Sequence, residues 1–147
     1  HGIIATAMFY LVGYLYANLN YRDTLRLSGL SEVLPVFSIF WFLFSIANMG
    51  MPMFSAFPGE LFVMIALASV NPIFVLFVFF GFFFTGVYTF LQLNKVLFSN
   101  YRGFTSSVFS GKITDLSAEG ISVLSILLVW TLILGVCPDI VIKNLEI

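Results

Sequence analysis

Long apolar segments separated by short polar ones dominate this sequence. Between Glu32 and Lys95 there are 62 residues with a single charged side chain, Glu60, and a second charge-poor segment lies between Glu119 and Asp139. A helix needs about 20 apolar residues to cross a hydrocarbon core of about 30 Å. On that scale the sequence predicts four membrane-spanning helices joined by short connections, so the predicted fold class is all-α integral membrane.

The four predicted helices cover residues of about 1–16, 36–70, 72–98 and 116–137, and together they form one transmembrane unit over residues 1–147. The second is too long for one straight crossing, and Gly50, Pro52 and Pro58-Gly59 interrupt it. We therefore expect a helix broken near residues 50–57, with pieces of about 21 and 20 Å at about 1.5 Å per residue. The backbone groups freed at such a break need protein or water partners, which restricts the break to the bundle interior.

The connections at residues 17–35 and 99–114 are polar, whereas the Asn71-Pro72 turn carries no charge. Positive side chains accumulate on the cytoplasmic or matrix side of a membrane. Both polar connections are therefore predicted to face that side, with the Asn71-Pro72 turn opposite. Lys143 is the one basic residue that does not fit this assignment. The assignment depends on the other five: Arg22, Arg26, Lys95, Arg102 and Lys112. Asp115 is predicted to cap the fourth helix.

The composition excludes several classes of protein. The chain is 61% apolar and 9% charged, with a mean hydropathy of +1.08, which excludes an ordinary soluble domain and a disordered one. A net charge of −1 gives no basic surface for nucleic acid. The single cysteine, Cys137, cannot form an internal disulfide. No metal-ligand spacing, phosphate-binding loop or nucleophile-base pair is present, so the sequence predicts no metal or cofactor site.

Glu60 is the main candidate functional residue. A carboxylate at a helix centre in a membrane costs at least about 2.5 kcal/mol, so an intramembrane acid indicates function by default. Burial favours the neutral acid, while the positive end of a helix beginning near Pro58 favours the carboxylate. These opposed effects suit a group that takes up and releases protons. The alternative is a purely structural carboxylate, hydrogen-bonded to Ser55 or to local amides.

Several segments resemble a known family in content, order and spacing: residues 1–9 (HGIIATAMF), 22–23 with 28–30, 47–52 with 57–60, and 134–138 (LGVCP). The family is that of chain four, bacterial subunit M, of the proton-pumping NADH:ubiquinone oxidoreductase, respiratory complex I. The resemblance implies an antiporter-like fold of fourteen helices, of which this chain holds the last four. It would then be either a fragment or the product of a split gene.

The resemblance also implies what the residues do. A His opening the eleventh helix and a Glu after the broken part of the twelfth lie on a buried proton path in that family, at the positions of His1 and Glu60. An unperturbed His titrates near physiological pH, which suits a proton relay. The family often has a basic residue at the position of Lys95, which would be the partner of the path on the matrix side. Snorkelling of Lys95 to the interface is the simpler interpretation.

The function implied is a share in proton translocation coupled to NADH oxidation and ubiquinone reduction. This chain would act as a subunit of the enzyme, with no redox chemistry of its own. NADH, flavin, iron-sulfur clusters and ubiquinone would lie elsewhere in the complex. The implied partners are membrane lipid and other membrane-arm subunits, including a polypeptide with the missing helices. A structural subunit that braces the assembly and a cation/proton antiporter remain alternatives. The 19 phenylalanines suit an AT-rich organelle genome and favour the mitochondrial inner membrane over a bacterial plasma membrane.

Overall fold

A computed structural model describes residues 1–19, 28–99 and 114–143, and every regular element among these residues is helical. This confirms the predicted all-α fold class. The elements, in chain order, are α1 (Gly2–Leu19), α2 (Leu30–Val33), α3 (Pro35–Asn48), α4 (Ala56–Val70), α5 (Pro72–Leu93), a π-helical turn (Asn94–Phe98), α6 (Ala118–Val136) and α7 (Asp139–Ile142).

Two helical segments are long and apolar enough to cross a membrane, Pro72–Phe98 with 27 residues and Ala118–Val136 with 19. The other main helices, α1, α3 and α4, are apolar but shorter. The predicted break in the second span is confirmed, because α3 ends at Asn48 and α4 begins at Ala56. The first helix runs three residues further than predicted, and the predicted polar connection at residues 17–35 contains the short helix α2.

The core lies where α1, α3 and α6 meet the end of α5. Phe37, Phe44, Leu11 and Leu124 are fully buried there, and Trp41 stacks on Phe37 with ring centroids 5.6 Å apart. By contrast, α4 contributes no buried residue, and only Thr89 and Leu93 are buried on α5. The α4–α5 hairpin therefore leaves most of its apolar surface exposed.

Asp115 corrects one sequence prediction. Its carboxylate accepts hydrogen bonds from the backbone N–H groups of Val36 (2.8 Å) and Phe37 (3.1 Å), so it caps the start of α3. Helix α6 is instead capped by Ser117, whose hydroxyl accepts from Gly120 N–H at 3.3 Å. A helix N-terminus has unpaired N–H groups and a partial positive charge, both of which a carboxylate satisfies. The sequence prediction was wrong because the contact joins residues 79 positions apart.

Two further hydrogen bonds fix the same end of the bundle. The Tyr14 hydroxyl on α1 donates to the Thr114 carbonyl at 2.6 Å, and the Ser31 hydroxyl on α2 donates to the Leu97 carbonyl in the π-helical turn, also at 2.6 Å. The basic residues Arg22, Arg26, Arg102 and Lys112 lie outside the described residues. The orientation across the membrane therefore stays a prediction.

Candidate functional site at the helix break

The break between α3 and α4 begins with a well-defined helix end. Gly50 has a φ of +73°, a conformation that glycine adopts without strain. Gly50 N–H donates to the Ala47 carbonyl (3.2 Å) and Met51 N–H to the Ile46 carbonyl (3.3 Å). This pair of bonds is a Schellman motif, which satisfies the last carbonyls of a helix within the chain itself. The break therefore starts without freed carbonyl groups at these two positions.

A tight turn then leads into α4. Phe54 N–H donates to the Met51 carbonyl at 3.3 Å, with Pro52 and Met53 as the central residues. Met53 has a φ of +84°, the only positive φ at a non-glycine residue in the described chain. Proline followed by a residue with positive φ is typical of a type II turn. A methionine at such a position costs about 1–2 kcal/mol relative to glycine, so the turn is held by its surroundings.

Those surroundings include Gly135 on α6. A Cβ added at Gly135 would overlap the Met53 carbonyl group and the adjacent Phe54 backbone. The turn thus packs directly onto the α6 backbone, and Phe54 itself is only 7% exposed. Close backbone approach through a small residue is a common way in which membrane helices pack. The break is therefore fixed in place by the last helix of the bundle.

Glu60 lies on α4 with its carboxylate against the Cα of Gly50. A Cβ at Gly50 would lie 2.8 Å from Glu60 Cδ and would overlap Oε2. The side chain is half-buried and lines a groove of about 220 Å³ with Met49, Phe79 and Phe82. No hydrogen bond or ion pair joins the carboxylate to any residue in the described ranges.

Two sequence expectations for Glu60 change. Because α4 begins at Ala56 rather than near Pro58, Glu60 is its fifth residue and lies beyond the first turn. The helix dipole acts most strongly within the first turn, so its effect on Glu60 is weaker than the sequence predicts. A hydrogen bond from Ser55 is also not formed: the Ser55 hydroxyl is buried and has no partner among the described residues. Neither a position in the first helical turn nor a hydrogen bond from Ser55 therefore stabilises the Glu60 carboxylate.

His1 lies at the start of α1, where its carbonyl accepts from Ala5 N–H at 2.9 Å. It lines a second, more open groove of about 380 Å³ together with Ser55, Pro58, Gly59 and Leu134. Gly59 lines this groove and its neighbour Glu60 lines the other. The structure thus brings both predicted residues to the helix break, in separate grooves that meet at the first turns of α4.

Lys95 lies apart from both grooves. It is an exposed residue of the π-helical turn that follows α5, beside buried Val96 and Leu97. The structure does not bring it together with Glu60 or His1. Among the described residues, no three His, Cys, Asp or Glu side chains lie close enough together to hold a metal ion.

Sequence reasoning missed two residues that shape the site. Gly50 is predictable as a helix breaker, but its contact with the Glu60 carboxylate has no local signal, because Gly50 follows the end of α3 and Glu60 lies on α4. Gly135 lies near the end of the fourth predicted helix, and nothing in the sequence connects it with Met53. The signal available for both was a glycine within an apolar helical segment, which indicates close approach of another group.

Sequence comparisons connect the chain with known membrane proteins. The sequence profile of the family described as NADH:quinone oxidoreductase/Mrp antiporter, TM, matches residues 1–85. The chain is 31% identical to NADH-ubiquinone oxidoreductase chain 4 of Chondrus crispus over 95% of its length. It is 30% identical to NADH-quinone oxidoreductase subunit M of Pseudomonas aeruginosa and 29% identical to that of Escherichia coli K12, again over 95% of its length. It spans only 27%, 26% and 27% of these three relatives.

Proposed function

The chain belongs to the NADH:quinone oxidoreductase/Mrp antiporter family of membrane proteins, and we propose that it forms part of the proton-translocating membrane arm of respiratory complex I. In this proposal Glu60 and His1 lie on a buried proton path. The observation that carries the proposal is the position of Glu60: its carboxylate packs against Gly50 at a broken helix and has no hydrogen-bond or charge partner within the described chain.

An acid without a fixed partner can gain and lose a proton without breaking a salt bridge. A carboxylate held only for structure would instead be expected to accept several hydrogen bonds, because an unsatisfied buried acceptor costs about 1–3 kcal/mol or more. Ser55, the hydrogen-bond donor that the sequence suggests for Glu60, makes no such bond. This absence of a partner among the described residues favours the proton-carrying role over the structural one.

The arrangement of the two grooves suggests how protons reach Glu60. The His1 groove and the Glu60 groove meet α4 at adjacent residues, Gly59 and Glu60. The Ser55 hydroxyl, buried and unpaired in the described structure, lines the His1 groove and can bind a water molecule there. We therefore place His1 and Ser55 on one side of Glu60, as the entry or exit for a proton. Lys95 remains the weakest member of the proposed path, because it lies outside both grooves.

The proposal extends to the assembly. The relatives are named as subunits of NADH-ubiquinone or NADH-quinone oxidoreductase, so this chain would serve that enzyme without redox chemistry of its own. NADH, flavin, iron-sulfur clusters and ubiquinone would be bound by other subunits. Its partners would be other membrane-arm subunits, including one with the remaining helices, and lipid. The proposed location is the mitochondrial inner membrane, with a bacterial plasma membrane as the alternative.

The test compares three variants in the assembled complex. Glu60→Gln keeps the size and hydrogen bonding of the side chain but cannot titrate. We expect it to assemble at normal abundance while quinone-coupled NADH oxidation and proton pumping fall together, since a stalled proton step also slows electron transfer. Glu32→Gln, an exposed carboxylate on α2, is the matched control and should pump normally.

The structural alternative predicts a different result. If Glu60 only supports the fold, Glu60→Gln should pump normally and only a change of size, Glu60→Ala, should lower assembly. Normal pumping by an assembled Glu60→Gln complex would therefore rule out the proton-carrying role.

The family description also includes Mrp antiporters, so a cation/proton antiporter is the second candidate. Affinity purification of the tagged chain separates the two. Co-purification of NADH-oxidising activity supports complex I, whereas an assembly without that activity that exchanges a metal cation for protons in vesicles supports the antiporter.

A further inference from the structure

Helix α5 and the π-helical turn that follows it carry a line of polar and small residues, of which the proposed proton path includes only Lys95. Gly81, Thr85, Tyr88, Gln92 and Lys95 follow one another at steps of three or four residues, so they share one face of the helix. At about 100° per residue they span an arc of about 80° and a length of about 21 Å. The remainder of α5 is mainly phenylalanine and aliphatic. We call these five residues the polar stripe.

The polar stripe points away from the rest of this chain. The side of α5 that faces the bundle is marked by buried Thr89 and Leu93 and by Gly86, whose Cβ position lies 3.6 Å from Met49. These residues lie about a third of a turn from the centre of the stripe. Tyr88 is 55% exposed, and Gln92 and Lys95 are exposed as well. The stripe is therefore not part of the groove that contains Glu60.

Its polar groups lack partners in the described residues. Thr85 donates to the Gly81 carbonyl of its own helix at 2.9 Å, but no hydrogen bond or ion pair joins Tyr88, Gln92 or Lys95 to any residue in ranges 1–19, 28–99 and 114–143. If Lys95 reaches the membrane interface, Tyr88 lies about 10 Å deeper. Lipid tails offer no hydrogen-bonding group at that depth, so polar side chains there normally face protein or a water-filled space.

From this geometry we infer that the polar stripe of α5 is the docking face for a transmembrane helix of another polypeptide, one with hydrogen-bonding side chains opposite Tyr88 and Gln92 and a carboxylate opposite Lys95. The positive charge of Lys95, without a carboxylate partner in the described chain, sets the sign of its partner. The stripe is narrow: Phe84 and Leu91, each 62% exposed, lie along one edge of it, and buried Thr89 on the bundle-facing side of α5 lies along the other. A narrow polar line with large apolar side chains beside it fits a single helix packed along it, whereas a hydrated channel wall needs polar groups over a broader surface. This inference rests on the proposed assembly with other membrane subunits and is independent of the role of Glu60.

Site-specific photo-crosslinking in the assembled complex tests the inference. A benzophenone amino acid at Tyr88 or at Gln92 is expected to link to one and the same polypeptide other than this chain. The matched control is the same probe at Val87, which is 41% exposed and lies on the side of α5 away from both the stripe and the bundle. It should link mainly to lipid. Lipid adducts at all three positions would overturn the inference.

A second measurement separates a helix from water and does not need the bulky probe. In a background with Cys137→Ser, Gln92→Cys should react slowly with a membrane-impermeant maleimide if a helix covers it, at a rate similar to that of Val87→Cys. Rapid labelling of Gln92→Cys alone would indicate a water-lined face and overturn the inference. Gln92→Leu, which keeps the size of the side chain but removes its hydrogen bonds, should release the crosslinked partner from the complex several-fold faster in mild detergent. An unchanged rate of release would also contradict the inference.

Discussion

The contact between Gly50 and the Glu60 carboxylate gives a quantitative prediction for Gly50→Ala. Two costs add at this position. The φ of +73° costs a residue with a Cβ about 1–2 kcal/mol. The new methyl would also lie 2.8 Å from Glu60 Cδ. This is the end of a flexible side chain that lines a groove, so it can move aside at the cost of a less favourable rotamer, about 1 kcal/mol. We therefore expect Gly50→Ala to destabilise the site by about 2–3 kcal/mol.

A double-mutant cycle separates these two costs. In a Glu60→Ala background the overlap is gone and only the backbone cost remains, so Gly50→Ala should destabilise the site by about 1–2 kcal/mol there. The coupling energy between the two positions is then about 1 kcal/mol, within the range expected for residues in contact. The assay is heat-induced release of the chain from the purified complex, followed on native gels for the four members of the cycle.

Gly59→Ala is the matched control for this cycle. Gly59 lies within α4, and a Cβ there meets nothing within 4 Å. Alanine is favoured over glycine inside a helix by about 1 kcal/mol, so this variant should be at least as stable as the parent. An equal effect of Gly50→Ala with and without the Glu60 side chain would refute the contact, and with it the geometry on which the proposed function rests.

Three further substitutions test the support of the break and of α3. Gly135→Ala should lower the abundance of assembled complex several-fold on native gels because its methyl would overlap the Met53 carbonyl. Gly13→Ala, where a Cβ meets nothing within 4 Å, should not lower it. Equal abundance of the two variants would contradict the contact. Asp115→Ala should destabilise the chain by about 2 kcal/mol because three N–H groups, those of Val36, Phe37 and Leu116, lose a charged acceptor. Asp115→Asn, which keeps one acceptor oxygen, should cost less. Equal losses for Ala and Asn in thermal release would exclude the cap as the cause. Met53→Gly should raise the release temperature by relieving about 1 kcal/mol of backbone strain, and a lower temperature would show that the methionine side chain holds the turn.

The break itself was predictable from the sequence because its signals are local. Gly50 and Pro52 lie within three residues of each other in an apolar segment, and each opposes a continuous helix for its own reason. The start of α4 was misplaced by two residues for an equally local reason. Pro58 is the third residue of α4, and the first N–H groups of a helix have no intrahelical acceptor. A proline there removes no hydrogen bond, so it does not mark the first residue of the helix.

The contacts that define the site were not predictable, because each joins residues distant in the chain. Asp115 has the residue type and the position expected of a cap for the helix that follows it. The sequence contains no indication that its carboxylate lies at the start of α3. The same limit applies to Gly135 and Met53, 82 positions apart by their numbering in the sequence. Hydrophobic pattern determines which segments are helical, but most of these helices are apolar on nearly every side, so the pattern does not specify which faces meet.

Gly50 explains how the Glu60 carboxylate can lie at the helix break without serving as a hydrogen-bond acceptor for its backbone. A membrane helix break must satisfy its own backbone groups, and here the Schellman bonds at Gly50 and Met51 do so without help from a side chain. Had the Gly50 N–H been unpaired, the Glu60 carboxylate, which lies against Gly50, would be a candidate acceptor for it. Because the backbone satisfies itself at the end of α3, the Glu60 carboxylate is not required for the fold of the break. The same glycine that ends α3 leaves the space that the carboxylate occupies, which couples the shape of the break to the position of the only acid in 62 residues.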